Sequence, residues 1–223
     1  MFFVEVGPGL IEDYSAFICA NTRISPVPLV SCIRLYLANE GTELWQKIED
    51  EMERGLGPPP LWAFAWPGGQ ALARYITDHP ELVRGKKVLD FAAGSGLVAV
   101  AAALAGANRV EANDLDCFAG AAIGLNAIEN AVIIKTRIDD LVGSDEPWDL
   151  ILAGDVCYQP DIAARITGWL EARAKTGTRV LIGDPGRPYL PREKLRSLAF
   201  YEVPVPLALE GATTKQTDVW CFT

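Results

Sequence analysis

The chain has 223 residues, half of them hydrophobic and 22% charged, which predicts a sizeable buried core and excludes a disordered polymer. Its 29 acidic and 20 basic residues give a formal charge of −9, a field that repels phosphate backbones, so no nucleic acid partner is expected. No apolar run approaches the roughly 20 residues of a membrane span, and the opening Met1–Glu5 stretch lacks both the basic flank of a secretory signal and the arginines of a transit peptide. A cytoplasmic chain with no membrane partner is the expectation. Five scattered cysteines without a C-x-x-C pair support neither a zinc site nor a disulfide framework, so no metal is expected. The single histidine, His79, lacks the companions of a triad or metal cluster and reads as structural.

In chain order, residues 9–20 read as a helix, and Ile33–Leu37 alternates like a strand. Thr42 is placed to cap a helix running to about Arg54. The run Gly55-Leu56-Gly57-Pro58-Pro59-Pro60 continues neither helix nor central strand and divides the chain. Residues 1–60 are therefore an N-terminal extension of helix, strand and helix, and residues 61–223 the main domain. After Trp66-Pro67-Gly68-Gly69 a helix is expected from about Gln70 to Asp78. Strands at Lys87–Phe91, Arg109–Asn113, Val132–Ile138, Trp148–Ala153 and Thr178–Gly183 then alternate with helices at Leu97–Ala105, 117–130 and 161–174. This rhythm predicts an α/β fold with a mostly parallel sheet covered on both faces. Residues 200–207 and 216–222 read as a closing antiparallel hairpin. A doubly wound, Rossmann-like sheet that ends so resembles the seven-strand pattern of methyltransferases, and ordinary nicotinamide-binding domains lack the hairpin.

The first chemical signal is Asp90-Phe91-Ala92-Ala93-Gly94-Ser95-Gly96, at the end of the first strong strand. Gly94 and Gly96 let backbone approach a ligand where a Cβ would clash, and ligands sit outside the carboxyl ends of such strands. Ala99 stands where the dinucleotide fingerprint has its third glycine, a substitution that fingerprint tolerates. Asp90 suits a cofactor with a positive amino group and sulfonium, S-adenosylmethionine, better than a pyrophosphate. Asp114, 18 residues after Gly96, is placed to accept the ribose hydroxyls, with Leu115 as an apolar lid for adenine. Asp139 and Asp140 lie where an adenine amino group is often held, and Asp139 is the candidate carried forward. Trp66 and Gly68 join the cofactor-binding candidates because their stretch immediately precedes the cofactor domain.

The fourth strand of the domain delivers Gly154-Asp155-Val156-Cys157-Tyr158. It lacks the paired prolines of enzymes that methylate planar amines, which favours a flexible, cationic acceptor such as lysine. With a reference pKa of about 10.4, a lysine amine costs roughly 4 kcal/mol to deprotonate near pH 7.4. A carboxylate of ordinary pKa is a weak base there, so Asp155 is assigned to orienting the amine while Tyr158, Trp62 and Trp66 are candidate channel walls. The segment Gly183-Asp184-Pro185-Gly186-Arg187-Pro188 either shapes the acceptor pocket or is a rigid turn.

From about Ile33 onward the chain resembles the lysine methyltransferases of the β subunit of electron transfer flavoprotein, within the seven-strand protein methyltransferases. The resemblance rests on Trp66–Leu72, Arg84–Lys86, Ala112–Asp116, Gly154–Tyr158, Arg179–Pro188 and Val219–Phe222. It implies S-adenosylmethionine as methyl donor, S-adenosylhomocysteine as product and a protein substrate, that β subunit. It also implies that Asp155 and Tyr158 form the family's catalytic D-x-x-Y element. Ala92-Ala93 departs from the expected Gly/Ser pair, and the absent transit peptide points to a bacterial member with another protein or a small amine as alternative acceptor. A cofactor-holding module without turnover and a nicotinamide-dependent oxidoreductase are the rivals from other classes.

Overall fold

The computed structural model describes residues 13–39, 44 and 60–223. Helix α1 (Tyr14–Asn21) starts at Asp13, whose carboxylate accepts from Ala16 N at 3.0 Å. Strands β1 (Arg23–Val27) and β2 (Val30–Leu37) pair antiparallel as a separate two-stranded sheet. The main domain then runs α2 (Pro67–Asp78), β3 (Lys87–Phe91), α3 (Leu97–Leu104), β4 (Arg109–Asp114), α4 (Cys117–Glu129), β5 (Lys135–Ile138), β6 (Leu150–Gly154), α5 (Pro160–Lys175) and β7 (Arg179–Asp184). It closes with β8 (Leu195–Pro204), the short α6 (Leu207–Glu210) and β9 (Thr214–Phe222).

The seven-stranded sheet has the order β5-β4-β3-β6-β7-β9-β8. The first five are parallel, and β9 runs antiparallel to both β7 and β8. The expected alternation and closing hairpin are therefore present. Strand order reverses between β3 and β6, which opens a crevice outside their carboxyl ends. Both sheet faces are covered. In β3, Val88 joins Leu72, Ile76 and Val98 on the α2–α3 side, while Leu89 and Phe91 join Ile166, Trp169 and Leu170 of α5.

The described part of the N-terminal extension is packed onto the main domain. Val27, Val30, Ile33 and Leu35 bury against Ala73 of α2 and Leu97 and Val100 of α3. Asn126 of α4, fully buried, accepts from Tyr36 N at 2.8 Å and donates to Ser95 O at 2.8 Å, tying β2 to the glycine loop. Among the described residues, no helix is long and apolar enough to cross a membrane.

Several boundaries differ from the sequence expectation. Strand β1 was not expected, because Pro26 and Pro28 obscure it; Pro26 sits in a two-stranded sheet that tolerates it. Helix α2 begins at Pro67 rather than Gln70: proline is at home in a first turn, and the two glycines meet a packing need described below. Strand β5 starts at Lys135, since Ala131 takes φ +53 and Val132 N returns to Ala127 O, closing α4. Strand β8 starts at Leu195 and stops at Pro204. Apart from Leu44, which is helical and buried, the expected helix over 42–54 lies outside the described residues, as do the break at 55–59 and residues 9–12.

Gly68 and Gly183 lie in direct contact. A Cβ on Gly68 would fall 2.1 Å from Gly183 O, and one on Gly183 would fall 2.1 Å from Gly68 O. A Cβ on Gly154 would lie 2.9 Å from Gly69 N. Gly183→Ala is expected to cost about 3 kcal/mol or more, since backbone on both sides must move. Gly124→Ala, on α4 with nothing within 4 Å of the added carbon, is expected to stabilise by up to about 1 kcal/mol. Urea midpoints of the two variants check the pair; equal midpoints would show that the contact is not tight.

Candidate functional site

The loop after β3 turns on left-handed residues: Ala92 at φ +54, Gly94 at +52 and Gly96 at +76. Ala92 belongs to the Ala92-Ala93 pair that stands where Gly/Ser was expected, and it carries the left-handed penalty of a Cβ. Helix α3 starts at Gly96, which offers no side chain to cap it. Asp90, 1% exposed, supplies the acceptor instead, taking Ala99 N at 2.8 Å. Burial pushes the Asp90 carboxyl up to about 8 against that bond.

At the end of β4, Asp114 gathers three backbone donors. Its Oδ2 accepts from Gly94 N at 2.8 Å, and its Oδ1 from Leu115 N at 2.7 Å and Asp116 N at 3.1 Å. The glycine loop is thereby fixed to the end of β4. A carboxylate has about four lone-pair positions, so one on Oδ2 is left for an incoming hydroxyl. Asp116 is the cap of α4, accepting from Phe118 N at 2.8 Å, and Leu115 is 67% exposed beside it.

Past β6, Asp155 sits at φ +55, a conformation costly for any residue with a side chain and frequent at functional sites. It is buried, and burial pushes its carboxyl up to about 7, with Arg187 opposing the rise and the nearby Asp184 adding to it. Asp155 Oδ2 accepts from Gly69 N at 3.1 Å, in the first turn of α2, where Trp66 gives no cap of its own. Asp155 Oδ1 accepts from Arg187 Nη2 at 3.0 Å. The sequence reading took Asp155 as an ordinary carboxylate, and its burial changes that.

Arg187 was left open in sequence, as pocket or turn. It also forks onto Glu210, with Nη2–Oε1 at 2.6 Å and Nη1–Oε2 at 3.1 Å, and lies 6.0 Å from the centre of the Trp66 ring. Lys215 reaches Glu210 Oε2 at 2.6 Å. Glu210 drew no attention in sequence; it follows the apolar run Val205–Leu209 and has no motif around it.

The aromatic candidates separate. Trp62 is 2% exposed and stacks on Phe118 at 5.8 Å, so it packs the core and does not wall a channel. Trp66 is half-buried, held by its Nε1 donating to Leu61 O at 2.8 Å, and borders a cavity of about 220 Å³. Phe64, Pro67, Pro206, Leu209 and Glu210 line the same cavity. Tyr158 is half-exposed, and its phenol is pushed up by burial and, less, by the charge of Asp114. Gly68 is buried against Gly183 O and Asp155 Oδ2. Asp139 pairs with Arg137, at 2.7 Å from Oδ2 to Nη2, and Asp140 pairs with Arg165.

Between residues 71 and 157 the chain matches the protein-family model described as ribosomal protein L11 methyltransferase. It is 39% identical over 230 residues to the electron transfer flavoprotein beta subunit lysine methyltransferase of Mus musculus, spanning 97% of this chain and 87% of that protein. The Homo sapiens protein of the same name is 37% identical over 226 residues, spanning 97% and 84%. Among solved structures, magnesium protoporphyrin IX methyltransferase from Synechocystis PCC 6803 with bound S-adenosylhomocysteine is similar with TM-score 0.53 at 13% identity, over 83% of this chain and 89% of that one. The ribosomal protein L11 methylase of Lactobacillus delbrueckii subsp. bulgaricus gives TM-score 0.50 at 18% identity, over 72% and 81%. At those identities the two structures establish the Rossmann-like methyltransferase fold and nothing about substrate.

Asp90 and Asp155 are both raised, to about 8 and about 7, so the folded chain holds protons that the unfolded chain releases near pH 4. Their stabilising contribution is complete below about pH 4 and is lost as pH rises through 7 and 8. The urea midpoint of the ligand-free protein is therefore expected to fall between pH 5 and 8.5. Asp90→Asn keeps an acceptor for Ala99 N without the charge, so its profile should be flatter and its midpoint higher at pH 8.5. Parallel profiles would show that Asp90 titrates normally.

Proposed function

The chain belongs to the electron transfer flavoprotein β-subunit lysine methyltransferase family, and on that footing we propose that it transfers methyl groups from S-adenosylmethionine to lysine ε-amines of the β subunit of electron transfer flavoprotein, in the cytoplasm. The observation that carries this reading is Asp155: a buried, left-handed carboxylate just past β6, the strand that pairs with β3 at the sheet's switch point and so ends beside the glycine loop.

The crevice fits the cofactor by the chemistry of its donors. Asp114, Asp139 and Asp155 end or follow parallel strands, an acidic set that favours an amino group and sulfonium over a pyrophosphate, while Asp90, buried and raised to about 8, supports the glycine loop from behind by holding Ala99 N. Gly94 offers backbone without a Cβ, and Asp114 has the remaining lone pair for a ribose hydroxyl. Leu115 would cover one face of adenine, Asp139 would receive its amino group, and Trp66 with Gly68, at the start of α2, would bound the methionine end. When bound, S-adenosylmethionine supplies a methyl group on a positively charged sulfur.

The protein's part is to bind the ammonium, strip its proton and aim the nitrogen. Moving a proton from a lysine of reference pKa to a carboxylate near 4 costs about 9 kcal/mol; with Asp155 near 7 the cost falls to roughly 5 kcal/mol. Asp155 therefore orients the amine and also receives its proton, and Tyr158 bounds the nitrogen. The remaining acceleration comes from alignment of nitrogen, methyl and sulfur.

Two measurements check the assignment. Asp114→Ala is expected to weaken S-adenosylhomocysteine binding by tenfold or more, about the worth of one hydrogen bond to a charged group; an unaltered dissociation constant in calorimetry refutes the ribose role. Intact-mass analysis of purified electron transfer flavoprotein after incubation with cofactor should show one-methyl steps on the β subunit, absent with Asp155→Ala. Cofactor binding without those steps would move the acceptor to another protein or a small amine.

A further inference from the structure

Among the described residues, Arg187 is the cation that pairs with Asp155, at 3.0 Å, and it is held from several sides. Its backbone N–H donates to Asp184 Oδ1 at 2.6 Å, as does Gly186 N at 2.7 Å, so the turn after β7 is pinned by a fully buried carboxylate. Its guanidinium is clamped twice by Glu210, whose side chain is 2% exposed, and once by Asp155. The backbone of Asp155 is joined to the same strand end, with Asp155 N donating to Gly183 O at 2.9 Å.

We propose that Arg187 is a positioning residue for methyl transfer, held by Glu210 so that its guanidinium fixes the orientation and charge of the Asp155 carboxylate in the acceptor site. The proposal rests on the reading of Asp155 given above. The geometry divides the work between the two oxygens. Oδ2 is tied to Gly69 N and Oδ1 to Arg187 Nη2, so the carboxyl plane cannot rotate without breaking one charge-assisted bond. Two of its about four lone-pair positions remain for the acceptor nitrogen.

Glu210 sets how much of the cation Asp155 experiences. The guanidinium makes two bonds to Glu210 and one to Asp155, and Lys215 balances the far oxygen of Glu210. Among the described residues, the charged and titratable groups around Asp155 are then Arg187 and Asp184 from the turn after β7, Cys157 from its own loop, and Glu210 behind Arg187. The first turn of α2 contributes the Gly69 N–H. Within this set, Arg187 favours the carboxylate, while Asp184 favours the acid and Glu210 offsets Arg187.

Opposite signs follow. Removing the cation with Arg187→Gln raises the Asp155 carboxyl, and removing the competing anion with Glu210→Gln lowers it, each by about 1 in pH. Arg187→Lys keeps the charge but loses the fork, so the carboxyl should stay near its wild-type value while kcat drops about tenfold or more through misalignment.

The test is carbon-13 NMR titration of the aspartate carboxyl carbons in the intact chain, with the Asp155 signal assigned by its loss in Asp155→Asn. Steady-state kinetics on the acceptor protein run beside it. Opposed shifts in the two glutamine variants, with Arg187→Lys unmoved but slow, support the proposal. An Asp155 titration unchanged in all three, or moving the same way in both glutamine variants, overturns it. The titration needs no turnover, so shifts as expected in a chain that methylates nothing would refute the substrate reading and leave the role of Arg187 standing. If Arg187→Gln does not fold, Glu210→Gln and Arg187→Lys still give the sign and the alignment effect.

Discussion

The first turn of α2 lies against the carboxyl ends of β6 and β7 with no room for a β-carbon at Gly68 or Gly183 and little at Gly154. Everything in the acceptor half of the site depends on that contact. It presents Gly69 N to Asp155 and encloses the Asp155 carboxyl. A larger residue at either glycine would push the helix out, and water would return to Asp155. Its carboxyl would then fall back toward the ordinary range, since desolvation is the first cause of its elevation.

A second regularity ties the two halves of the crevice together. Helices α2 and α3 both begin without a side-chain cap, at Trp66 and Gly96, and both receive a carboxylate from a strand or strand end of the sheet. Asp155 accepts from the first turn of α2 and Asp90 from that of α3. Each carboxylate satisfies one of the free N–H groups at a helix start and meets the positive end of the helix dipole. The two acids proposed for catalysis and cofactor binding are thus also structural caps, so substitutions at either are expected to disturb backbone as well as charge.

Much of this was legible in the residues. The β-α rhythm and the closing hairpin follow from local pattern, the acid–glycine loop from its spacing and the D-x-x-Y element from the family resemblance, and the strands around the switch point were placed within a residue or two. What local pattern hid was nonlocal. The glycines of Trp66-Pro67-Gly68-Gly69 were placed before the helix, whereas they open it, and Gly183 occupies the space a β-carbon on Gly68 would need. Trp62 read as a candidate wall beside Trp66, yet one ring stacks in the core on Phe118 and the other borders the cavity. Glu210 carries no motif, and its meaning comes only from Arg187, 23 residues away. The elevation of Asp155 arises from burial, which composition and spacing do not encode.

The most direct test of the account is a crystal structure of the chain with S-adenosylhomocysteine. The account predicts ribose hydroxyls on Asp114, the amino-acid end over Gly94–Gly96 and the sulfur facing the Asp155–Tyr158 side of the crevice. Ligand density centred instead on the cavity beside Trp66 and Leu209, or a ribose that leaves Asp114 untouched, would contradict it.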